Sequence, residues 1–160
     1  MPLNPYEISI SNLFLTDKEN EIKLGLNRIK EELIKLGSPC SNIPAIQIVG
    51  TNGKGSIASF ISSILKEASI KTGITTSPHL VSWNERIKIN DKMISEISLY
   101  KSLQTLQRIS EVRKLTTFEL IIIAALDYFQ SENVELLILE AGLGGRLDGT
   151  TAHKFRPIIA

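Results

Sequence analysis

Gly50-Thr51-Asn52-Gly53-Lys54-Gly55-Ser56 stands directly after the apolar run Ala45-Ile46-Gln47-Ile48-Val49 and directly before a helical pattern. A strand, a glycine-rich turn and a helix in that order form a grip for phosphate. The glycines let the backbone curl so that several N–H groups point inward, and Lys54 adds a mobile positive charge. Ser56 places a hydroxyl where a magnesium ion on the phosphates would lie. Gly50, Thr51, Asn52, Gly53, Lys54, Gly55 and Ser56 are therefore expected to hold a nucleotide such as ATP. The standard pattern is Gly, four residues, Gly-Lys and then Ser or Thr. Here Gly55 is inserted before Ser56, and the pattern's first glycine falls on Ile48. An incidental lysine in a glycine-rich turn is the weaker reading, given the strand before and the helix after.

Upstream, Ile22, Leu26, Ile29, Leu33 and Leu36 recur at alternating steps of four and three, which predicts an amphipathic helix over about 17–36, ended by Gly37-Ser38-Pro39. Downstream, Ile57, Phe60, Ile61, Ile64, Leu65 and Ala68 are expected on one buried helical face. Thr72–Thr76 reads as a short strand broken by Ser77-Pro78-His79, and Ile87–Asn90 as an extended segment turning near Asp91. One helix starts after Ser95 and a more buried one runs from Thr116 or Thr117 to Gln130. Glu135–Glu140 reads as a buried strand, and Arg156–Ala160 as the opening of another that the chain cuts short. Strands alternating with helices predict an α/β fold: a P-loop-containing, mostly parallel sheet flanked by helices.

The 160 residues, 42% hydrophobic and 22% charged, suit a globular domain, and the net charge of +1 offers no broad basic field for nucleic acid. The N-terminus lacks the basic and apolar regions of a secretory signal. The longest apolar run, Leu120–Leu126, is far short of the roughly 20 residues of a membrane helix. The single cysteine, Cys40, has no disulfide partner within the chain. No membrane, no nucleic acid and a cytoplasmic setting are the resulting expectations.

A phosphate loop needs a cation and a group to hold it. Glu140, at the end of an apolar strand, either serves that role or pairs with a cation such as Arg146. Ser77, taken alone, reads as turn punctuation before proline. His79 is a lone loop histidine, with a structural role or a ligand role both open. Trp83, Asn84, Glu85 and Arg86 form either a lid or a loop tied to its own scaffold. Phe118 suggests core packing, Glu119 a complement to a helix dipole, and Asp148 a ligand contact or a helix cap.

Five segments in order carry a resemblance: Gly-Thr-Asn-Gly-Lys-Gly-Ser (50–56), Thr-Ser-Pro-His-Leu-Val-Ser (76–82), Asn-Glu-Arg-Ile-Lys-Ile-Asn (84–90), Thr-Phe-Glu (117–119) and Leu-Glu-Ala-Gly-Leu-Gly-Gly-Arg-Leu-Asp (139–148). They resemble the folylpolyglutamate synthase/dihydrofolate synthase family of the Mur ligase superfamily. The resemblance spans nearly the whole chain but only the first part of that family's ATP-binding domain. It implies that residues 1–160 are the N-terminal part of a Mur-ligase-like ATP-binding domain, with the C-terminal glutamate-ligase domain absent.

By resemblance the activity is ATP-dependent: the carboxylate of dihydropteroate or a folate such as tetrahydrofolate is phosphorylated, and the amine of L-glutamate attacks the acyl phosphate. Lys54 and the loop amides would hold the β- and γ-phosphates, and Lys54 and Glu140 would be the catalytic pair. Ser77 and Glu140, with Ser56, would ligate Mg2+, and K+ is a further cation the resemblance allows. Thr116, Phe118, Asp148, Gly149 and Thr150 would line the pterin site, and His79, Asn84 and Arg86 are loop candidates.

The family pattern Asp-Ala-Thr-Asn is here Asp148-Gly149-Thr150-Thr151, which changes the pocket's shape and removes one side-chain amide. The family's later Asp-His motif and carboxylated lysine have no counterpart in the chain, so weak or absent turnover is expected, in a family that is mostly monomeric. A cell-wall Mur ligase relative, a P-loop module without ligase activity and a non-enzymatic fragment are the competing readings.

Overall fold

The computed structural model describes residues 10, 25–109, 115–152 and 158–159. Helix α1 (Asn27–Lys35) leads to β1 (Ala45–Ile48), α2 (Lys54–Glu67) and β2 (Thr72–Thr75). A short 3-10 turn, Trp83–Arg86, precedes β3 (Ile87–Ile89) and β4 (Lys92–Met93). Then come α3 (Glu96–Ile109), α4 (Thr117–Ser131), β5 (Leu136–Glu140), a second 3-10 turn at Gly149–Ala152, and β6 (Ile158–Ile159). The strands form one six-stranded sheet in the order β4-β3-β2-β5-β1-β6.

Strands β6, β1, β5 and β2 run parallel, as the alternation of strands and helices predicts. The β3 and β4 edge is antiparallel, and the sequence reading did not foresee this hairpin. Its turn is made by Asn90 (φ 45°) and Asp91 (φ 66°), two residues that tolerate left-handed backbone better than most. Asn90 also fastens the turn to the sheet, because its side-chain oxygen accepts from the Thr72 amide at 2.8 Å.

Side-chain alternation along the strands sorts the core into two layers. Ala45, Leu137 and Leu139 join the larger cluster with Ile29 of α1, Leu99, Leu103 and Leu106 of α3, and Leu120–Leu126 of α4. Ile48, Ile74 and Ile138 face the other way, onto Ala58 of α2. Each fully buried Leu or Ile contributes roughly 1.5–3 kcal/mol, so the layer shared by α1, α3 and α4 dominates stability. At Gly73 α4 packs close on the sheet: a Cβ there would lie 2.7 Å from the Phe129 ring.

Two helical expectations need correction. The first concerns the helix expected over about 17–36, in which Gly25 and Leu26 lie outside the helix and α1 begins at Asn27. Gly25 has φ 128° and Leu26 is the N-cap, while Ile22 and the rest of 17–24 lie outside the described residues. Gly37 at φ 78° ends this helix, with the Ser38 amide bonded back to the Leu33 carbonyl at 2.7 Å. The second concerns α2, which buries Ala58 and Ser62 and half-buries Ile61 and Leu65. Ile57, Phe60 and Ile64 are 43%, 66% and 69% exposed, so the predicted apolar face is wider than the surface the sheet covers. Ser62 is buried because its hydroxyl donates to Asp91 Oδ1 at 2.9 Å, tying α2 to the β3–β4 turn.

Among the described residues, no helix is long and apolar enough to cross a membrane. The predicted last strand is present as β6, paired in parallel with β1 through Ile46 and Gln47.

Candidate functional site

The carboxyl ends of β1, β5 and β2 lie side by side, with Ile48 paired to Glu140 and Thr75 to Leu139. Open α/β sheets bind ligands at that edge, where successive loops leave in different directions. Three sequence motifs far apart in the chain converge there.

The first is the glycine loop. Gly53, with φ 77° and ψ 3°, is the N-cap of α2 and occupies a left-handed conformation that suits glycine. Helix α2 begins at Lys54, so the amides of its first turn have no partner within the helix and carry the positive end of its dipole. Lys54 folds its ammonium back to the Gly50 carbonyl at 3.1 Å. Gly50, Thr51, Asn52, Gly53, Gly55 and Ser56 are exposed.

The second is Glu140. It is 5% exposed, and its Oε2 accepts from the Ser77 amide at 3.1 Å. The same oxygen lies 3.8 Å from where a Cβ on Gly55 would sit. Gly55, Ser77 and Glu140 are therefore neighbours, although separated by up to 85 positions in the chain. Among the described residues Glu140 has no ion pair, so the alternative pairing with Arg146 is not what the fold uses. Arg146 is exposed instead. Burial of a carboxylate beside unpaired helix amides suits a site that receives a cation and a phosphate together.

The donors present fit magnesium. One Glu140 oxygen remains open, and among the described residues the hydroxyls of Ser56 and Ser77 make no hydrogen bond. The same residues contain no cluster of three or more His, Cys, Asp or Glu side chains that could hold an ion unaided. Magnesium is commonly held by one or two carboxylates together with substrate phosphates, which matches this sparse set of hard oxygens.

The third motif is the loop after β2, whose Ser77–Pro78 peptide is cis. Of the two readings left open for it, the geometry favours a loop tied to its own scaffold. Glu85 accepts from the amides of Leu80, Val81 and Ser82 at 2.8, 2.7 and 2.8 Å. Arg86 Nε donates to His79 Nδ1 at 2.7 Å, and its guanidinium lies 4.9 Å from the centre of the Trp83 ring. His79 packs on the same ring at 4.5 Å. Burial, then the Arg86 charge, holds the His79 imidazole below its ordinary pKa, with Glu85 opposing. The amides that grip Glu85 hold that carboxyl below its ordinary value. Asn84 is half-buried, with its Oδ1 unpartnered. His79 and Arg86 therefore shape the loop, which leaves Leu80 and Val81 exposed at its tip.

Of Thr116, Phe118, Asp148, Gly149 and Thr150, the fold joins Phe118 to Gly149 and Asp148 to Thr150. Thr116 caps α4: its hydroxyl accepts from the Glu119 amide at 3.2 Å, and Glu119 Oε2 accepts from the Thr116 amide at 2.8 Å. Glu119 also takes Arg28 Nη2 at 3.1 Å, joining α1 to the start of α4. Phe118 lies between two glycines, since Cβ atoms on Gly142 and Gly149 would stand 3.1 and 3.4 Å from its ring.

Asp148 is 5% exposed and committed to its own loop. Oδ2 accepts from the amides of Gly142 and Leu143, both at 2.9 Å. Oδ1 accepts from the Thr150 amide at 2.9 Å and the Thr150 hydroxyl at 2.6 Å. These bonds realise the capping reading of Asp148, since its Oδ1 accepts from the Thr150 amide two residues on.

The sequence reading passed over Gln47. It is 2% exposed on β1, and its side-chain nitrogen donates to the hydroxyls of Thr150 and Thr151 at 2.7 and 2.8 Å. A polar residue inside Ala45-Ile46-Gln47-Ile48-Val49 was the available signal, since a buried amide needs partners. His153 lies outside the described residues.

No protein-family model matches the chain. The dihydrofolate synthetase of Saccharomyces cerevisiae is 41% identical over 133 residues, covering 81% of this chain and 31% of the yeast protein. The folylpolyglutamate synthase structure from Thermotoga maritima superposes with a TM-score of 0.84 at 38% identity, covering 95% of this chain and 36% of that one. The bifunctional folylpolyglutamate synthase/dihydrofolate synthase of Yersinia pestis, solved with AMPPNP and a manganese ion, gives 0.83 at 31% identity and covers 95% and 37%. The chain spans about a third of the length of the curated relatives it matches. Over the residues it contains, the chain is therefore a homologue of the dihydrofolate synthases and folylpolyglutamate synthases.

Proposed function

We propose that this chain is the nucleotide-binding part of an ATP-dependent ligase that joins L-glutamate to dihydropteroate or a folate through an acyl phosphate. The observation that carries the reading is the meeting of Gly55, Ser77 and Glu140 at the start of α2. The first-turn amides and Lys54 bind the β- and γ-phosphates of ATP, Lys54 exchanging its Gly50 carbonyl for phosphate oxygen. Glu140 and the hydroxyls of Ser77 and Ser56 would hold Mg2+, which would supply charge neutralisation at the phosphates.

The Gly142–Thr151 loop, with Phe118 beneath it, orients the pterin-bearing acid so that its carboxylate faces the γ-phosphate. Phosphoryl transfer asks mainly for such positioning and for charge neutralisation. Residues 1–160 are the first part of the ATP-binding domain, and the groups that bind glutamate come from the portion of the relatives that the chain does not span. The buried thiol of Cys40 is in keeping with a reducing, cytoplasmic setting.

Equilibrium binding of AMPPNP with and without Mg2+ tests the first half of this reading, and ADP release in the presence of dihydropteroate and L-glutamate tests the second. Mg2+-dependent binding with turnover at or near background is expected. Magnesium-independent binding would remove Glu140 from its role, and ADP release that ignores both acceptor substrates would make the chain a simple NTPase.

A further inference from the structure

Gln47 is an amide buried in an apolar strand three positions before Gly50, and it belongs to neither the phosphate grip nor the cation site. Its surroundings determine which way its hydrogen bonds run. Each threonine hydroxyl has one hydrogen: that of Thr150 goes to Asp148 Oδ1, and that of Thr151 to the Gly145 carbonyl. The Gln47 atom facing both hydroxyls must therefore be the NH2 group, which donates to each. From Asp148 the chain of bonds continues to the amides of Gly142 and Leu143. One strand side chain thus joins the network that holds a loop about 100 residues away in sequence.

Val49 fastens the same loop from the next outward position. A Cβ on Gly145 would meet Val49 Cγ1 at 2.8 Å, so loop and strand are in close contact. Gln47 and Gly50 are three positions apart, about 10 Å of extended chain, and the end of β1 is held where the Ala141 amide donates to the Ile48 carbonyl at 2.9 Å. We propose, on the basis of the ligase reading above, that Gln47 is a positioning residue that fixes the spacing between the phosphate loop and the Gly142–Thr151 loop. It thereby sets the distance between bound nucleotide and the pterin-bearing acid. The amide donates to both threonines, so losing it frees the loop while leaving Gly50–Ser56 intact.

The test compares Gln47→Met, which keeps the length and removes the donor, with Gln47→His, which keeps an N–H of similar reach. Backbone amide exchange at Gly142 and Leu143 is expected to quicken at least tenfold in Gln47→Met and to be partly restored in Gln47→His. ADP affinity should stay within twofold, while dihydropteroate affinity falls tenfold or more. If Gln47→Met does not fold, Thr151→Val removes one of the two acceptors, and a smaller change in the same direction is expected. Unchanged exchange at Gly142 and Leu143, or equal loss of both affinities, would overturn the positioning role. A wild-type chain that binds ADP but not dihydropteroate would overturn the folate reading of the site, while the exchange measurement still decides the role of Gln47.

Discussion

The backbone amide of Ser77 donates to the carboxylate of Glu140 at 3.1 Å, across 63 positions of sequence. This bond joins the end of β2 to the end of β5, and among the described residues it is the one hydrogen bond of a carboxylate that is 5% exposed. A buried anion held so lightly is a stability cost that a bound cation offsets.

Glu140→Gln should therefore leave the melting temperature of the free chain unchanged or raise it, because the neutral amide still accepts from Ser77. It should reduce the Mg2+-dependent part of AMPPNP affinity at least tenfold, a change of about 1.4 kcal/mol or more. Thermal melting paired with isothermal titration checks both; a large drop in melting temperature would show that Glu140 serves the fold instead.

Two glycine replacements should have opposite signs. Gly73→Ala drives a methyl to 2.7 Å from the Phe129 ring and should cost about 1–3 kcal/mol. Gly149→Ala meets Ile29 and Phe118 at 3.4 Å, an ordinary contact, and should stabilise by about 0.4–1 kcal/mol by restricting the unfolded chain. Urea midpoints of the two variants against the parent decide this.

His79 should make stability pH-dependent below neutrality. Its pKa in the folded chain lies below the ordinary 6.5, so the unfolded chain takes up the proton first as pH falls. The stabilisation is complete above about pH 6.5 and is lost below it, until the folded His79 also protonates. His79→Gln keeps an acceptor for Arg86 but does not titrate, so comparing its melting curves with those of the parent isolates this group. The parent should lose ground to the variant between pH 7 and pH 5, and a constant difference over that range would refute the assignment.

Cys40 should be chemically silent in the folded chain. It is fully buried, its thiol donates to the Leu126 carbonyl at 3.1 Å, and burial followed by the Asp127 charge pushes its pKa up to about 12 from 9.0. Three pKa units mean about a thousandfold less thiolate, so labelling by a thiol reagent at pH 8 should slow by about that factor relative to the chain in urea. Labelling at the unfolded rate would show that the α1–β1 connection opens freely.

Much of the fold was legible because its signals are local. Gly37-Ser38-Pro39 ends α1, Thr116 with Glu119 starts α4, and the run Leu120–Leu126 is buried as its all-round apolar pattern demands. The antiparallel hairpin was less legible, since strand direction depends on which neighbours pair. The face of α2 was misjudged at Ile57, Phe60 and Ile64 because periodicity marks an apolar stripe but says nothing of how wide the opposing sheet is.

By itself the sequence determined the glycine-rich turn between β1 and α2 and the order of strands and helices, because turn glycines, caps and apolar periodicity act within a few positions. Only the tertiary structure decided which residues meet. It placed Glu140 beside Ser77 and Gly55, committed Asp148 and Arg86 to their own loops, and gave Gln47 a role. Those outcomes depend on strand register and loop closure over tens of residues, where a single hydrogen bond redirects a side chain and leaves no trace in local pattern.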